Sequence, residues 1–243
     1  MGISPPTGLE YIAGSFKDLA GKVTLLDLRH ETAYQDLTIL SKFIRDKIDL
    51  LCISIQWDAR FKQVCDFVAQ LPREVCTVVG DYKATQEVEY IFDHYPNVDM
   101  IVRGEGEEVI KQIVTGKDLY KNIRGLSYRE NGQFVHNKIH SLPDIKSIAF
   151  PDRSLRKKDY RASVYGVRVS SHTFDAVQTT RGCPFKCKFC TFSLNPLGQK
   201  RSYTERPVDS VIEELKSVKA SVVLFSAMIT SSQIRKGVKN FVI

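Results

Sequence analysis

The chain is predicted to be α/β, with a doubly wound parallel sheet in residues 1–140, a connecting segment over 141–170 and the start of a second, incomplete α/β unit over 171–243. Three observations carry this. Short apolar runs rich in β-branched residues alternate with amphipathic stretches of ten or more residues up to about position 115, the pattern of strands joined by right-handed helical crossovers. Glycines follow two of those runs. From residue 175 a strand, a loop, a helix and a strand follow in the same style, the loop carrying three of the six cysteines within eight positions.

In order, GLEYIAGSF opens a helix. KVTLLDL (22–28) is a predicted strand, followed by a helix over 32–47, then DLLCISI (49–55), a helix over 58–71, EVCTVVG (74–80), a helix over 85–94, VDMIVRG (98–104) and a helix over 105–115. The second unit is read as a strand at 175–179, the cysteine loop, a helix at 208–218 and SVVLF (221–225) as a strand. Ligands of such sheets sit beyond the carboxyl ends of the strands. That places the loops 27–30, 56–60, 80–83 and 103–107 at one edge, where Gly80, Gly104 and Gly106 let backbone approach a ligand closely or simply make turns. RGEGEE is not a GxGxxG fingerprint, so a nicotinamide or flavin dinucleotide finds little support.

Composition narrows the function classes. The opening MGISPPTGLE has no basic and apolar leader, and no apolar run approaches a membrane span, so a reducing, cytoplasmic location is expected. The net charge of +7 lies entirely in residues 181–243, with 11 Lys and Arg against 4 Asp and Glu, while residues 1–180 hold 24 of each. No RRM-like, helix-turn-helix or zinc-finger pattern accompanies that excess, so nucleic acid is not the expected partner.

The decisive stretch is RGCPFKCKFCTF (181–192). Three clustered thiols leave one over if they pair among themselves, and six cysteines in 243 residues are too few for a disulfide scaffold. Structural zinc needs four ligands, and the nearest histidine is His172. A 4Fe-4S cluster can be held by Cys183, Cys187 and Cys190 alone, leaving one iron open to a substrate. Arg181, Lys186 and Lys188 would favour the thiolates, or form an ordinary solvated basic loop.

CxxxCxxC with Phe189 before its last cysteine, preceded by DAVQTTRG (175–182), resembles the cluster loop of radical S-adenosylmethionine enzymes. The resemblance implies that S-adenosylmethionine chelates the open iron and yields a 5′-deoxyadenosyl radical, with a flavodoxin or ferredoxin as electron donor and a small molecule as substrate. Upstream, PPTGLEYIAGSF, VVGDYKAT and VDMIVRGEGEE resemble the cobalamin-binding domain that precedes many such cores. IRGLSYRENGQFVHN (123–137) and FPDRSL (150–155) resemble the hairpin and linker between the two domains. The implied cofactors are the 4Fe-4S cluster, S-adenosylmethionine and cobalamin. Phe189, Gly80, Arg103, Gly104, Glu105 and Gly106 are the candidate cofactor-binding residues, and radical methyl transfer or rearrangement is the implied reaction class.

Departures from the pattern are local. Asp81 and Lys83 stand where the family shows glycine and histidine, and Asp27, Arg29 and His30 do not fit the Asp-x-His-x-x-Gly loop that supplies a histidine to cobalt. His30 is therefore expected to be a polar loop residue, His136 and His140 to be exposed on the hairpin, and Trp57 to cap the sheet. Three rivals remain: a methylthiotransferase with a second cluster on Cys52, Cys65 and Cys76, a non-enzymatic cobalamin module, and a non-catalytic remnant. The family has Asp-Asp-Asn-Phe after the strand at 221–225 and an apolar strand before the two prolines. SAMITSSQIRKGVKNFVI and MGIS stand here instead, so a frameshift near Ser226 and an incomplete enzyme are expected.

Overall fold

The computed structural model describes residues 5–56, 60–116, 119–164, 167–185 and 194–226. Helix α1 (Thr7–Phe16) comes first, then α2 (Leu37–Lys47), β1 (Leu50–Ser54), α3 (Phe61–Val68), β2 (Cys76–Gly80), α4 (Tyr82–Gln86), α5 (Val88–His94), β3 (Met100–Val102) and α6 (Glu107–Thr115). The hairpin of β4 (Leu126–Glu130) and β5 (Gln133–His136) completes a five-stranded sheet in the order β1-β2-β3-β4-β5. The first three strands are parallel, while β4 runs antiparallel to β3 and β5 antiparallel to β4, so the hairpin extends the same sheet.

Strand alternation sends successive side chains to opposite faces, and each face takes its own helices. Val79 and Ile101 join Cys65, Val68, Val88, Ile91 and Phe92 of α3 and α5 on one side. Val78, Met100 and Val102 join Val109, Ile110 and Ile113 of α6, with Ile12 and Phe16 of α1, on the other. Val79 and Ile101 are fully buried, each contributing about 1.5–3 kcal/mol of apolar transfer. This is the doubly wound arrangement that the alternating runs predict.

Four expectations are corrected. Residues 22–28 form no strand: no neighbouring strand is described beside them, Leu26 packs into the cluster of Leu40, Ile44, Leu71 and Val75, and the chain turns at Asp27, whose carbonyl accepts from His30 and Glu31. The helix expected over 85–94 is two helices meeting at Glu87, which caps α4 and starts α5 while its carboxylate holds Lys83 at 2.7 Å. The helix expected over 32–47 begins as a 3-10 turn, and α2 starts afresh where the Asp36 carboxylate caps Thr38 N and Ile39 N. The helix expected over 58–71 is the shorter α3, with Trp57 and Asp58 outside the described residues.

The second unit follows. Strand β6 (Tyr160–Val164) pairs antiparallel with the long β7 (Val167–Gln178), which pairs in parallel with β10 (Val222–Ser226) through the crossover helix α7 (Val208–Lys216). A two-stranded ribbon, β8 (Thr180–Arg181) with β9 (Thr204–Glu205), lies between them in sequence. The connecting segment crosses α1 at Gly14, where a Cβ would fall on the Phe150 carbonyl oxygen, and Asp152 N donates to Glu10 O at 3.0 Å.

The two units are joined through a buried ionic network. Arg156 pairs with Glu10 of α1 and donates to Asp175 of β7 at 2.8 Å, and Arg153 reaches both Asp175 (2.9 Å) and Glu214 of α7 (2.7 Å). Glu214 also pairs with Arg206 and accepts from Tyr11 Oη at 3.0 Å. Burial, and then the charge of Glu214, push the Tyr11 phenol well above its usual value, so it stays a donor. Three carboxylates thus face three arginines, the balance a desolvated cluster requires.

Candidate functional site

Loops after β1, β2 and β3 are tied into one edge. Ile55 N donates to Gly80 O at 2.9 Å and Lys83 N to Ile55 O at 3.1 Å. Ser54 Oγ donates to Asp81 Oδ2 at 2.8 Å, Thr85 Oγ1 to Asp81 O at 2.8 Å, and Gly104 N to Thr85 Oγ1 at 3.0 Å. The edge is therefore preorganised by its own small side chains.

Asp81 sits at φ 85°, ψ −176°, a conformation that essentially only glycine adopts without strain. The departure from the family's glycine at this position has a structural cost of about 1–3 kcal/mol, partly offset by the cap to Tyr82 N and the Ser54 bond. Asp81→Gly is expected to leave stability unchanged or raise it by about 1 kcal/mol, because it removes the strain and loses two modest bonds. Asp81→Ala loses the bonds and keeps the strain, and should cost about 1–2 kcal/mol; thermal unfolding of the two variants side by side checks the difference in sign. Lys83 is engaged by Glu87 and lies 5.5 Å from the Phe61 ring.

Other predicted site residues fall close by. Gly104 lies at φ 83°, and a Cβ there would meet Leu197 at 3.2 Å and the His140 ring at 3.5 Å. The segment that follows the cysteine loop thus rests directly on the β3 turn. Arg103 donates to the carbonyls of Leu126 and Asn137 on the hairpin side, and burial lowers its pKa. A Cβ on Gly80 would make only ordinary contact with Val102, and one on Gly106 would press Ile12 at 3.2 Å.

Glu105 and Glu107 face the second unit. Arg181, two residues before Cys183, donates one guanidinium nitrogen to Glu105 and another to Glu107, while Arg201 Nε reaches the other oxygen of Glu105 at 2.5 Å. The charges of Glu107 and Glu105 raise the Arg181 pKa against the opposing effect of burial. Two carboxylates thus balance the charge that was expected to favour the thiolates. Gly182 at φ 77° leaves room for the carbonyls of Ser202 and Arg201, the latter 2.7 Å from where a Cβ would stand. Cys183 is a buried free thiol directly after this stem. Cys187, Phe189 and Cys190, with Lys186 and Lys188, lie outside the described residues.

The histidines divide. His136 is exposed as expected and accepts or donates at Ser127 Oγ, 2.9 Å away. His140 is a correction: it is wedged beneath Gly104 and Gly125, and burial lowers its pKa against the opposing effects of the Glu105 backbone and the charges of Glu105 and Glu107. Strand alternation, which predicts exposure at this position, ends with β5 at His136. The ring of His30 packs edge-on against Tyr160 at 4.9 Å, a loop role. Beside it, Asp27 is brought down to about 2: burial raises it, but hydrogen bonds from Arg29 and Tyr160 outweigh that.

The other three cysteines do not converge. Cys65 belongs to one face of the sheet and Cys52 and Cys76 to the other, and burial pushes their thiols up to about 11 for Cys65 and Cys76 and about 12 for Cys52. No group of three metal-ligating side chains occurs among the described residues. Thiols held up in this way are poor cluster ligands, and their division between the two faces gives the second-cluster reading no support.

Comparison with known proteins agrees with this architecture. A family model described as "B12 binding domain" matches residues 2–114. An uncharacterized methyltransferase of Pyrococcus horikoshii is 32% identical over 219 residues, covering 87% of this chain and 45% of the relative. The hopanoid C-3 methylase of Methylococcus capsulatus is 26% identical, over 88% of this chain and 40% of the relative. Residues 2–114 thus match a cobalamin-binding domain, and the chain is similar over most of its length to proteins named as methyltransferases or methylases. Among solved structures, the radical S-adenosylmethionine methyltransferase TsrM of Kitasatospora setae, with cobalamin and a [4Fe-4S] cluster bound, aligns with a TM-score of 0.60 at 17% identity, over 87% of this chain and 42% of its own. The cobalamin-dependent radical enzyme OxsB aligns at 0.63 and 18%, over 92% of this chain and 31% of its own. These two similarities establish a shared fold. The chain spans less than half the length of these relatives.

Proposed function

We propose that this chain carries the cobalamin-binding domain (1–140), the connecting segment (141–170) and the first part of the core (171–243) of a 4Fe-4S cluster and S-adenosylmethionine dependent radical enzyme, acting in radical methyl transfer or rearrangement on a small molecule. The observation that carries the proposal is the seat of the cysteine-loop stem on the β3 turn, through Arg181 with Glu105 and Glu107. It brings the stem that leads into Cys183 to the strand-end edge, where an α/β sheet takes its ligand.

The donor chemistry fits a cluster: three thiols suffice for three irons, and Cys183 follows a glycine turn that only Gly182 permits. The edge offers a cobalamin the backbone of Gly80, Gly104 and Gly106. Neither His30, packed on Tyr160, nor any residue of 27–30 in the required spacing serves as a cobalt ligand, so the corrin would bind without one from this loop. When bound, the cluster and S-adenosylmethionine supply the radical and cobalamin a transferable methyl group. The protein's part is to hold them together and to keep the loop thiols available. A flavodoxin or ferredoxin would deliver the electron. No helix among the described residues is long and apolar enough to cross a membrane. An absorbance titration of the purified chain with hydroxocobalamin is expected to shift the corrin bands saturably; a flat titration would remove cobalamin from the proposal.

A further inference from the structure

We infer that the acidic residues of the RGEGEE turn, Glu105 and Glu107, act as a clasp that positions the cysteine loop, with Arg181 as its bolt. The inference deepens the proposed function and, in assigning a cluster to the loop, rests on it. The family resemblance makes Glu105 a candidate cofactor-binding residue. Its two oxygens are instead divided between Arg181 and Arg201, so it bridges both edges of the loop: Arg181 enters the cysteine stretch and Arg201 leaves it. Glu107 takes the remaining arm of Arg181. Arg181 Nε completes the set on Gln178 at 3.0 Å, and Arg201 Nη2 donates to Pro143 O at 3.0 Å.

The backbone reinforces the clasp. Thr180 and Arg181 pair antiparallel with Thr204 and Glu205, which closes the loop at its base. Gln199 Nε2 donates to His140 O at 2.7 Å, and Leu197 covers Gly104, so the returning limb lies on the same turn. Two carboxylates and two guanidinium groups, all largely withdrawn from water, make a neutral set whose members are worth more together than an exposed pair would be. Helix α6 begins at Glu107, so the clasp is fixed to a packed helix start. A fixed stem two residues from Cys183 restricts where the first thiol of the loop can stand. Glu105, Glu107 and Arg181 are thus positioning residues, and none touches the reacting atoms.

The test uses the intact chain without its cluster. Iodoacetamide labels accessible thiols, and trypsin releases Cys183 as the single cysteine of residues 182–186, or of residues 169–186 in Arg181→Gln, which lacks the cleavage site after 181, so labelling at that thiol is read alone by mass spectrometry; Cys65, buried in the first unit, is the internal control. In Arg181→Gln and in the double variant Glu105→Gln, Glu107→Gln, Cys183 labelling is expected to rise at least about tenfold, with Cys65 unchanged. Arg181→Lys, which keeps the charge, should recover part of the protection. The iron taken up on reconstitution should fall in the same order. Labelling of Cys183 at the unsubstituted rate in both Gln variants would overturn the inference, as would a parallel rise at Cys65, which would make the ion pairs merely structural. If the unsubstituted chain binds no iron while the labelling pattern holds, the clasp stands and the cluster assignment falls.

Discussion

Glu214→Ala is expected to lower the unfolding free energy by about 3–5 kcal/mol, a large part of the roughly 5–15 kcal/mol that holds a domain folded. Glu214 is fully buried and is shared by Arg206, Arg153 and Tyr11. Its removal leaves Arg206 with no carboxylate in a place that excludes water, and leaves the Tyr11 hydroxyl with its donor unmet. The desolvation already incurred by the arginines is then uncompensated. A nearby exposed pair gives the contrast: Lys216 and Glu213, 2.5 Å apart in solvent, contribute about 0–1 kcal/mol. Urea unfolding of Glu214→Ala and Lys216→Ala should separate by at least about 2 kcal/mol. Equal midpoints would mean that the network does not hold the two units together.

Gly14→Ala should be the second severe change, although alanine in a helix ordinarily gains up to about 1 kcal/mol over glycine. The added methyl would fall on the Phe150 carbonyl oxygen and within 3.1 Å of its carbon, both backbone atoms. The connecting segment cannot retreat cheaply, because Asp152 N is bonded to Glu10 O and Arg153 and Arg156 anchor it in the ionic network. The cost of overpacking, about 1–3 kcal/mol or more, therefore exceeds the helical gain. Gly8→Ala in the same helix has nothing within 4 Å and should be neutral or stabilising. Thermal midpoints that move together in the two variants would show that the close approach at Gly14 is not required.

Sequence patterning foretold the strands and helices wherever one residue's neighbours in the chain decide its fate. The runs at 49–55, 74–80 and 98–104 became β1, β2 and β3 because alternate side chains find helices on both faces. KVTLLDL has the same local pattern, yet a strand also needs a partner, and none is described beside it. The cysteine motif stands out in the sequence because its three thiols lie within eight positions. The clasp and the ionic network were not, since Glu105 meets Arg201 and Tyr11 meets Glu214 only after both units fold, and no spacing rule links positions so far apart. Asp81 shows the intermediate case. Its identity marked the loop as altered, and only the backbone angles revealed that it still holds the shape of a glycine.

The proposed function stands or falls with a cluster held by Cys183, Cys187 and Cys190 beside a cobalamin-type sheet. Its most direct test is the iron and acid-labile sulfide content of anaerobically reconstituted protein, measured on the unsubstituted chain and on a variant with all three cysteines changed to alanine. About four irons and four sulfides per chain are expected, falling to near zero in the variant, with Cys52, Cys65 and Cys76 contributing none. An unsubstituted chain that takes up no iron, or a triple variant that retains it, would contradict the claim.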